Sequence, residues 1–540
     1  MKRGTERFWA LILAISCVLG CFTAAQAAEE QAEPERTFYE GWETEDLNRV
    51  FYEIFVGSFS DGNGDGIGDL RGIINRLDYL NDGNPASGKS LGVEGIWLTP
   101  VFASPSYHKY DITDYYTIDP AFGTMEDLEE LIEKCHDRGM LLILDLPINH
   151  TGSGNAWFTR FQNAHITKNE ENRYYDFYSW IPEGETAPAG RSFTHVPGTD
   201  IQVESNFGGD MPEMNFDEPL VREAALNVAR FYLEKGVDGF RFDAAKYIYF
   251  GDNEASVDFW KEYVGTLKKE KPDLYCVAEV WDGEGVTDRY QAAVNCFNFA
   301  TSQAEGLIAA TAKAGDANRF AAYLQKRLER IGGIDPEAIN MLFISNHDMD
   351  RAAGYLTVAG GQMKMAANLY LLAPGSPFIY YGEEIGMRGS RGSARTDANR
   401  RLAMLWGDGD TVADPPGSDY AKQSPYSVRD LYGFENSLYY HYRHVLRIRK
   451  ANPEIARGTV RALTFEDTKV GGFLSEWKGS RVAVIHNPSG KDQTVDLAKV
   501  SDAVFTEVCD TAGEGSASLE GTMLTIGAQT SAVVRSAKAD

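Results

Sequence analysis

For its size, this sequence is short of positive charge. Fifty-two Lys and Arg stand against 79 Asp and Glu, giving a net charge of −27 over 540 residues. Such a field repels polyanions, which excludes nucleic acid and anionic membrane surfaces as main partners; a neutral polymer would feel little of it. Cysteine is scarce too. Of six, Cys17 and Cys21 fall in the N-terminal segment, and Cys135, Cys276, Cys296 and Cys509 are far apart. That spacing makes neither a disulfide framework nor a zinc pattern, although one bridge among the four stays open. No glycine-rich phosphate loop follows the first apolar run, which disfavours an open doubly wound nucleotide-binding sheet. The N-terminal apolar run, Phe8 to Leu19, is too short to span a bilayer.

That run instead reads as part of a targeting segment. Lys2, Arg3 and Arg7 precede it, and two processing sites follow. Val18-Leu19-Gly20-Cys21 resembles a lipobox, in which Cys21 would carry lipid and tether the protein to a membrane. Ala25-Gln26-Ala27 resembles an ordinary cleavage site. Either reading makes the protein exported, extracellular or held at the cell surface. Residues 28–45, rich in Ala, Glu and Gln, read as a flexible tether.

The rest of the chain alternates strand and helix patterns. Strands are expected at Val50–Val56, Val93–Leu98, Met140–Leu146, Val237–Phe242, Tyr275–Val280, Asn295–Phe299, Asn340–Ile344 and Pro377–Tyr381. Helices are expected at Met125–Arg138 and Pro219–Lys235. Continuous apolar runs such as Met140–Leu146 suit strands buried on both faces. Eight strands in this alternation predict an α/β fold, a (β/α)8 TIM barrel. Residues 151–215, rich in Gly, Asn, Thr and aromatics, show no sustained period and read as an insertion after the third strand. Residues 46–150 and 216–457 form the barrel, and 458–540 read as a C-terminal antiparallel β-domain. A monomer is expected.

Three carboxylates sit where barrel strands end. Asp243 closes Gly239-Phe240-Arg241-Phe242-Asp243-Ala244-Ala245-Lys246, Glu279 lies in Val277-Ala278-Glu279-Val280-Trp281, and Asp348 in Ser345-Asn346-His347-Asp348. In a parallel barrel such ends converge on one face. Arg241, two residues before Asp243, shares its side of the strand and would hold Asp243 ionised. An apolar strand with Trp281 nearby would keep Glu279 protonated. Two carboxyl groups roughly 5 Å apart, one attacking and one donating a proton, are what retaining glycoside hydrolysis requires. The 9 Trp, 27 Tyr and 28 Phe include faces that suit sugar rings, although most belong in the core.

Taken in order, Asp145-Leu146-Pro147-Ile148-Asn149-His150, Gly239–Lys246, Ala278–Trp281 and Phe343–Asp348 resemble the four signature segments of the α-amylase family of retaining glycoside hydrolases, family 13. The resemblance implies Asp243 as nucleophile, Glu279 as acid/base and Asp348 as transition-state stabiliser. It also implies His150 and His347 as sugar-hydroxyl ligands, Tyr110 as a stacking ring and Arg401 as a further substrate contact. Lys246 is implied on the leaving side, where Tyr247 replaces a usual His. Met211-Pro212-Glu213-Met214-Asn215 is similar to a segment of α-amylases intermediate between oligo-1,6-glucosidases and neopullulanases. The implied activity is endo-hydrolysis of α-1,4 bonds in an α-glucan. The alternatives are an exo-acting α-glucosidase, oligo-1,6-glucosidase or transglycosylase on the same barrel, and a non-catalytic starch-binding barrel.

Asp61-Gly62-Asn63-Gly64-Asp65-Gly66-Ile67-Gly68-Asp69 carries side-chain oxygens at positions 1, 3, 5 and 9. With the Ile67 carbonyl, Asp61, Asn63, Asp65 and Asp69 read as ligands of a structural Ca2+. Position 12 is Gly72, so this is not an EF-hand. The loop resembles the one after the first barrel strand in oligo-1,6-glucosidases. Asn149 matches a residue that binds a second calcium in many α-amylases.

Overall fold

The computed structural model describes residues 48–537, except 360, 393–394 and 467. The expected leader (1–27) with Cys21, and the tether (28–45), lie outside the described residues. Eight short strands make the core: β1 (Phe51–Ile54), β2 (Gly95–Leu98), β3 (Leu141–Leu146), β4 (Gly239–Phe242), β5 (Tyr275–Ala278), β6 (Asn295–Cys296), β7 (Met341–Leu342) and β8 (Ser376–Tyr380). All pair in parallel, in the order β6-β5-β4-β3-β2-β1-β8-β7, and a parallel bridge from Phe297 to Met341 joins the two ends. The sheet therefore closes into the expected barrel.

Period-two alternation gives each strand two apolar faces. Phe51, Trp97, Ile143, Tyr275, Val277, Phe297, Met341 and Phe378 form one buried cluster inside the barrel. The alternate positions, including Tyr52, Ile54, Ile96, Leu98, Leu142 and Leu144, join the larger cluster that also takes in the buried faces of the helices. One of those helices, Met125–His136, starts at a Thr124–Asp127 capping box and buries Leu128, Leu131, Ile132 and Cys135 at helical spacing. Another, Pro219–Glu234, opens with proline in its first turn, where a missing N–H costs nothing.

Between β3 and β4 the chain is more regular than its sequence suggests. It holds a helix, Ala156–Ile166, and a small antiparallel sheet of Trp180–Pro182, Ile201–Glu204 and Phe193–His195. Two of these strands are only three residues long and neither buries a side chain fully, so no alternation builds up. The helix does bury Phe158, Phe161, Ala164 and His165, a spacing masked by its polar neighbours.

After the barrel, Thr459–Thr464, Gly471–Trp477, Ser480–Asn487, Thr530–Ser536 and Phe505–Gly513 form a five-stranded sheet. A three-stranded sheet of Gln493–Asp496, Met523–Ile526 and Ala517–Glu520 shares a separate apolar core with it. Helix Ala317–Ile334 fastens this unit to the barrel: Asn318 Nδ2 donates to the carbonyls of Phe465 and Thr468, and Gln325 accepts from the Ala462 amide. The disulfide left open by the sequence does not form; Cys135, Cys276, Cys296 and Cys509 are all free.

Gly239 at the start of β4 is a point of close approach. A Cβ there would lie 1.7 Å from the Tyr275 carbonyl oxygen of β5. Gly239→Ala should force the two strands apart and destabilise the protein by about 1–3 kcal/mol, read as a lower melting temperature. An unchanged melting temperature would mean that the β4–β5 spacing is not a constraint.

Candidate active site

Strand register assembles the site. Asp145 of β3 pairs with Arg241 of β4, and Arg241 pairs with Val277 of β5. Asp243 and Glu279 each lie two residues beyond these partners, so both emerge at the same end of the barrel. Arg241 is fully buried at their centre. Its Nη1 bonds Asp145 Oδ1 at 2.8 Å and Asp243 Oδ1 at 2.5 Å, while Nη2 stands 3.1 Å from Glu279 Oε2. The guanidinium lies 5.3 Å from the ring of Trp97, which forms its floor.

A second cluster fixes Asp348. His347 donates through Nδ1 to Glu53 at 2.6 Å and through Nε2 faces Asp348 Oδ2 at 3.0 Å. Arg401 holds the other oxygen of Asp348 at 2.7 Å and reaches the His347 carbonyl at 3.1 Å. Tyr110 joins the two clusters: its hydroxyl donates to Asp145 at 2.8 Å and lies 2.7 Å from His347 Nε2, with the rings stacked. A short hairpin, Phe102–Ala103 with Asp114–Ile118, carries the loop that delivers Tyr110.

Electrostatics divides the acids. Burial raises the pKa of Asp243, and Arg241, both as a nearby charge and as a hydrogen-bond donor, opposes that shift. Burial also raises Glu279, with the nearby Asp243 and Asp348 carboxylates adding to the shift and Arg241 opposing it. Asp348 goes the other way. Burial works against ionisation there too, but His347, Arg401 and Arg241 together hold it well below the usual carboxylate range. Arg241 hydrogen-bonds Asp243, whereas it only neighbours Glu279, so the guanidinium favours the charged form of Asp243 the more strongly.

Ala244, immediately after Asp243, adopts a left-handed conformation with φ +48°. Its amide donates to Glu279 Oε2 at 3.0 Å. Strain of this kind persists where neighbours fix it, as is common in active sites. A cavity of about 300 Å3 opens beside Glu279, lined by Phe207, Ala244, Lys246, Tyr247 and Trp281. Lys246 is engaged within the protein, donating to the Trp281 carbonyl at 2.8 Å and to Asp282 at 3.1 Å. Trp281, expected to help dry Glu279, stacks on Phe299 and stays exposed. His150 is buried with Nε2 lacking a hydrogen-bond partner among the described residues, and burial pushes its pKa down to about 4. It is therefore a neutral ring with a free nitrogen.

Glu53, Trp97, Asp145 and Phe207 were not expected as site residues. Glu53 had a legible signal: it is the lone acid within the apolar run Phe51–Val56. Asp145, readable from sequence alone as a loop cap, instead lies buried in the ion cluster.

The loop of Asp61, Asn63, Asp65, Ile67 and Asp69 stands apart from these acids. Asp61 accepts the amides of Asn63, Gly64 and Gly66, Asn63 accepts that of Asp65, and Asp65 that of Ile67. Asp69 caps helix Leu70–Asn75. Burial raises Asp69, and the charges of Asp61 and Asp65 raise it further, so three carboxylates do crowd together. Among the described residues, no three His, Cys, Asp or Glu side chains are arranged as a ready metal cage. The all-oxygen donor set, with Asn63 and the Ile67 carbonyl outside that count, fits a hard cation. Asn149 is buried and bonds the Glu213 side chain.

A parallel barrel with an Arg-centred carboxyl cluster at the strand ends is the frame of a carbohydrate-active enzyme. Residues 53–458 match the family model described as the alpha amylase catalytic domain. The chain belongs to the α-amylase family, glycoside hydrolase family 13, and is a glycoside hydrolase. It is 34% identical over 464 residues to Alpha-amylase 3 of Dictyoglomus thermophilum, covering 83% of this chain and 86% of that one. It is 30% identical to the 4-alpha-glucanotransferase of Thermotoga neapolitana, covering 84% and 98%. The solved structure of Eubacterium rectale Amy13B superposes with a TM-score of 0.83 at 33% identity, covering 92% and 96%.

The His347 contacts set a pH dependence of stability. Burial lowers the tendency of His347 to protonate, but Asp348 and Glu53 outweigh it and raise the pKa from 6.5 to about 10. A raised folded pKa contributes stability that is complete below the unfolded value and lost as pH rises through the folded one. The melting temperature of wild type should exceed that of His347→Asn most at pH 6, and the gap should narrow towards pH 10. A gap constant over that range would show that His347 is not held as a cation.

Proposed function

We propose that this protein is an exported α-amylase that cleaves internal α-1,4 bonds of starch and maltooligosaccharides with retention of configuration. The observation that carries the reading is the unequal grip of Arg241, hydrogen-bonded to Asp243 and merely adjacent to Glu279. Both carboxyls touch one guanidinium, which favours the closer spacing of retaining enzymes. Asp243 attacks the anomeric carbon as Glu279 gives its proton to the departing glycosidic oxygen, and a glycosyl ester forms on Asp243. Water then enters on the side the leaving group vacated. Glu279 takes its proton, the ester bond breaks, and both acids return to their starting states. Asp348, held ionised, stabilises the oxocarbenium-like charge. Tyr110 offers a ring to the sugar, and His150 offers a neutral nitrogen to a hydroxyl.

A second reading, transglycosylation, draws on the aromatic cavity beside Glu279. Phe207, Tyr247 and Trp281 could hold a sugar acceptor in competition with water, and a glucanotransferase is among the relatives. Digestion of amylose, pullulan and maltose, with products followed over time, separates the two. Early short oligomers of mixed length support endo-hydrolysis; products longer than the substrate support transfer. Asp243→Asn, Glu279→Gln and Asp348→Asn should each lower kcat by about 10³-fold or more with the fold intact. A variant keeping a tenth of wild-type activity would remove that residue from its role.

Export rests on residues 1–27. The mature N-terminus and intact mass test it: lipidated Cys21 supports a membrane tether, a start at Ala28 a secreted enzyme, and an uncleaved chain neither.

We also propose that the loop of Asp61, Asn63, Asp65, Ile67 and Asp69 binds a structural Ca2+, which would offset repulsion among its carboxylates. The ion has no part in the chemistry, since none of these residues touches Asp243, Glu279 or Asp348. Calcium should raise the melting temperature by mass action on the folded state, and Asp65→Ala should remove most of that rise. A variant that responds to calcium like the wild type would place the stabilising ion elsewhere.

A further inference from the structure

Glu53 is a buried carboxylate with no step in the proposed reaction. It is the third residue of β1, and alternation puts it on the same inward face as Phe51. Its neighbours in register are Trp97 of β2 and Tyr380 of β8. At 1% exposure it has almost no access to water, so its charge needs a donor within the protein. His347 supplies two. Glu53 Oε1 accepts the ring Nδ1–H at 2.6 Å and the backbone N–H at 3.2 Å. Together these bonds fix the place of the residue and the rotation of its ring.

The other nitrogen of that ring also faces acceptors. Nε2 lies 3.0 Å from Asp348 Oδ2 and 2.7 Å from the Tyr110 hydroxyl oxygen. The Tyr110 proton goes to Asp145, so towards His347 that oxygen accepts. A neutral imidazole carries one N–H and one lone pair. Here a lone pair on either nitrogen would point at an oxygen. The geometry therefore calls for a proton on both nitrogens, which makes the ring a cation. Electrostatics agrees: burial opposes the charge, but Asp348 and Glu53 outweigh it and raise the pKa to about 10.

Charges from several elements face this ring. Glu53 comes from β1, Asp145 from β3, Asp243 from the end of β4, and Asp348 from the same loop as His347. Arg401, from the chain after β8, holds the His347 carbonyl. Trp97, against which both Arg241 and His347 pack, is neutral. Arg351 packs 4.2 Å from the ring of Tyr380, the β8 partner of Glu53. Two of the anions bond the ring itself, Glu53 and Asp348. With Glu53 neutral the ring would keep one anionic partner, and its proton would be lost more easily. A neutral ring still donating through Nδ1 would then turn a lone pair on Asp348.

We propose that Glu53 is a positioning residue for the reaction: it holds His347 protonated on both nitrogens, and that ring holds Asp348 ionised and aimed at the sugar. Glu53 acts through two side chains and touches no substrate. The inference rests on the role given to Asp348 in the proposed function. It also sets how His347 meets a ligand. A ring protonated on both nitrogens only donates, so a sugar hydroxyl that reaches Nε2 accepts from it.

Glu53→Gln keeps the shape of the side chain and an acceptor for Nδ1–H, and removes the charge. The ratio of wild-type to Glu53→Gln kcat on soluble maltoheptaose should grow about tenfold from pH 6 to pH 9, with KM changed less than about threefold. Taking the ratio cancels the titration of Asp243 and Glu279 that both enzymes share. Acid returns the proton to His347, which would not repair a merely structural loss. A ratio flat with pH overturns the proposal, however large the drop in activity. Nitrogen-15 NMR of the histidine rings reads the charge directly, with His347 assigned by its absence from His347→Asn. Both ring nitrogens of wild-type His347 should carry protons at pH 8. One bare nitrogen there overturns the proposal whether or not Glu53→Gln folds. Both protonated at pH 9 in wild type and Glu53→Gln alike also overturns it, because the charge on Glu53 would not be what holds the proton. Wild-type enzyme that cleaves no α-glucan overturns the active-site reading instead, and the ring spectra still decide whether Glu53 sets the charge on His347.

Discussion

The buried guanidinium of Arg241 is the constraint on which the site depends. It is a full charge at the mouth of an apolar barrel, in contact with three carboxyl groups and with no exposure to water. Burying such a group is costly, and the attraction of its partners recovers that cost only when geometry is close to ideal. The barrel supplies the geometry through register. Asp145 is the direct β3 partner of Arg241, and Asp243 follows on the same face two residues on. Slipping β4 by one residue would turn Arg241 outward and Phe242 inward, losing both the core and the site. Packing of the barrel and placement of the acids are thus the same requirement.

Much of this was legible in the sequence. All eight strands were visible as mainly apolar runs, because strands buried on both faces carry few polar residues to blur them. Arg241, Asp243, Glu279 and Asp348 stood out because they interrupt or end such runs. The insertion between β3 and β4 was not legible in detail, since strands of three or four half-exposed residues leave no period. Long-range partners were hidden for another reason. That Glu53 would meet His347, 294 residues away, depends on β1 and the β7 loop being brought together by the closed ring, and no local pattern encodes that. The burial of Asp243 was hidden similarly: spacing shows that Arg241 is near, but not how much solvation the carboxylate loses.

The loop Asp61–Asp69 is anchored from a distant part of the chain. Arg76 binds Asp408 and Asp410, and Asp410 accepts from the Ser60 hydroxyl and the Asp61 amide. The chain after β8 is in this way tied to the chain after β1. Thr411 adds a bond from its hydroxyl to Asp61. The position of the acidic loop is therefore fixed by Asp410 and Thr411 as well as by its own turns.

The balance of charge at the barrel mouth suits the proposed chemistry, in which one site both donates a proton and stabilises a cation. Three cationic side chains, Arg241, His347 and Arg401, face five carboxyl groups: Glu53, Asp145, Asp243, Glu279 and Asp348. Acids in excess of cations in a buried cluster cannot all ionise cheaply: burial raises Asp145 to about 7 despite its Arg241 contacts, and raises Asp243 and Glu279 as well. Glu279 has a guanidinium neighbour without a hydrogen bond, whereas Asp348 has both Arg401 and His347. In the proposed reaction, that excess of negative potential favours positive charge developing on a sugar ring between these groups. Once the proton has passed to the leaving oxygen, Glu279 becomes an anion beside that ring. The local field would then be most negative when the oxocarbenium-like charge is greatest, so the order of events in the proposed reaction follows from the unequal sharing of three cations among five acids.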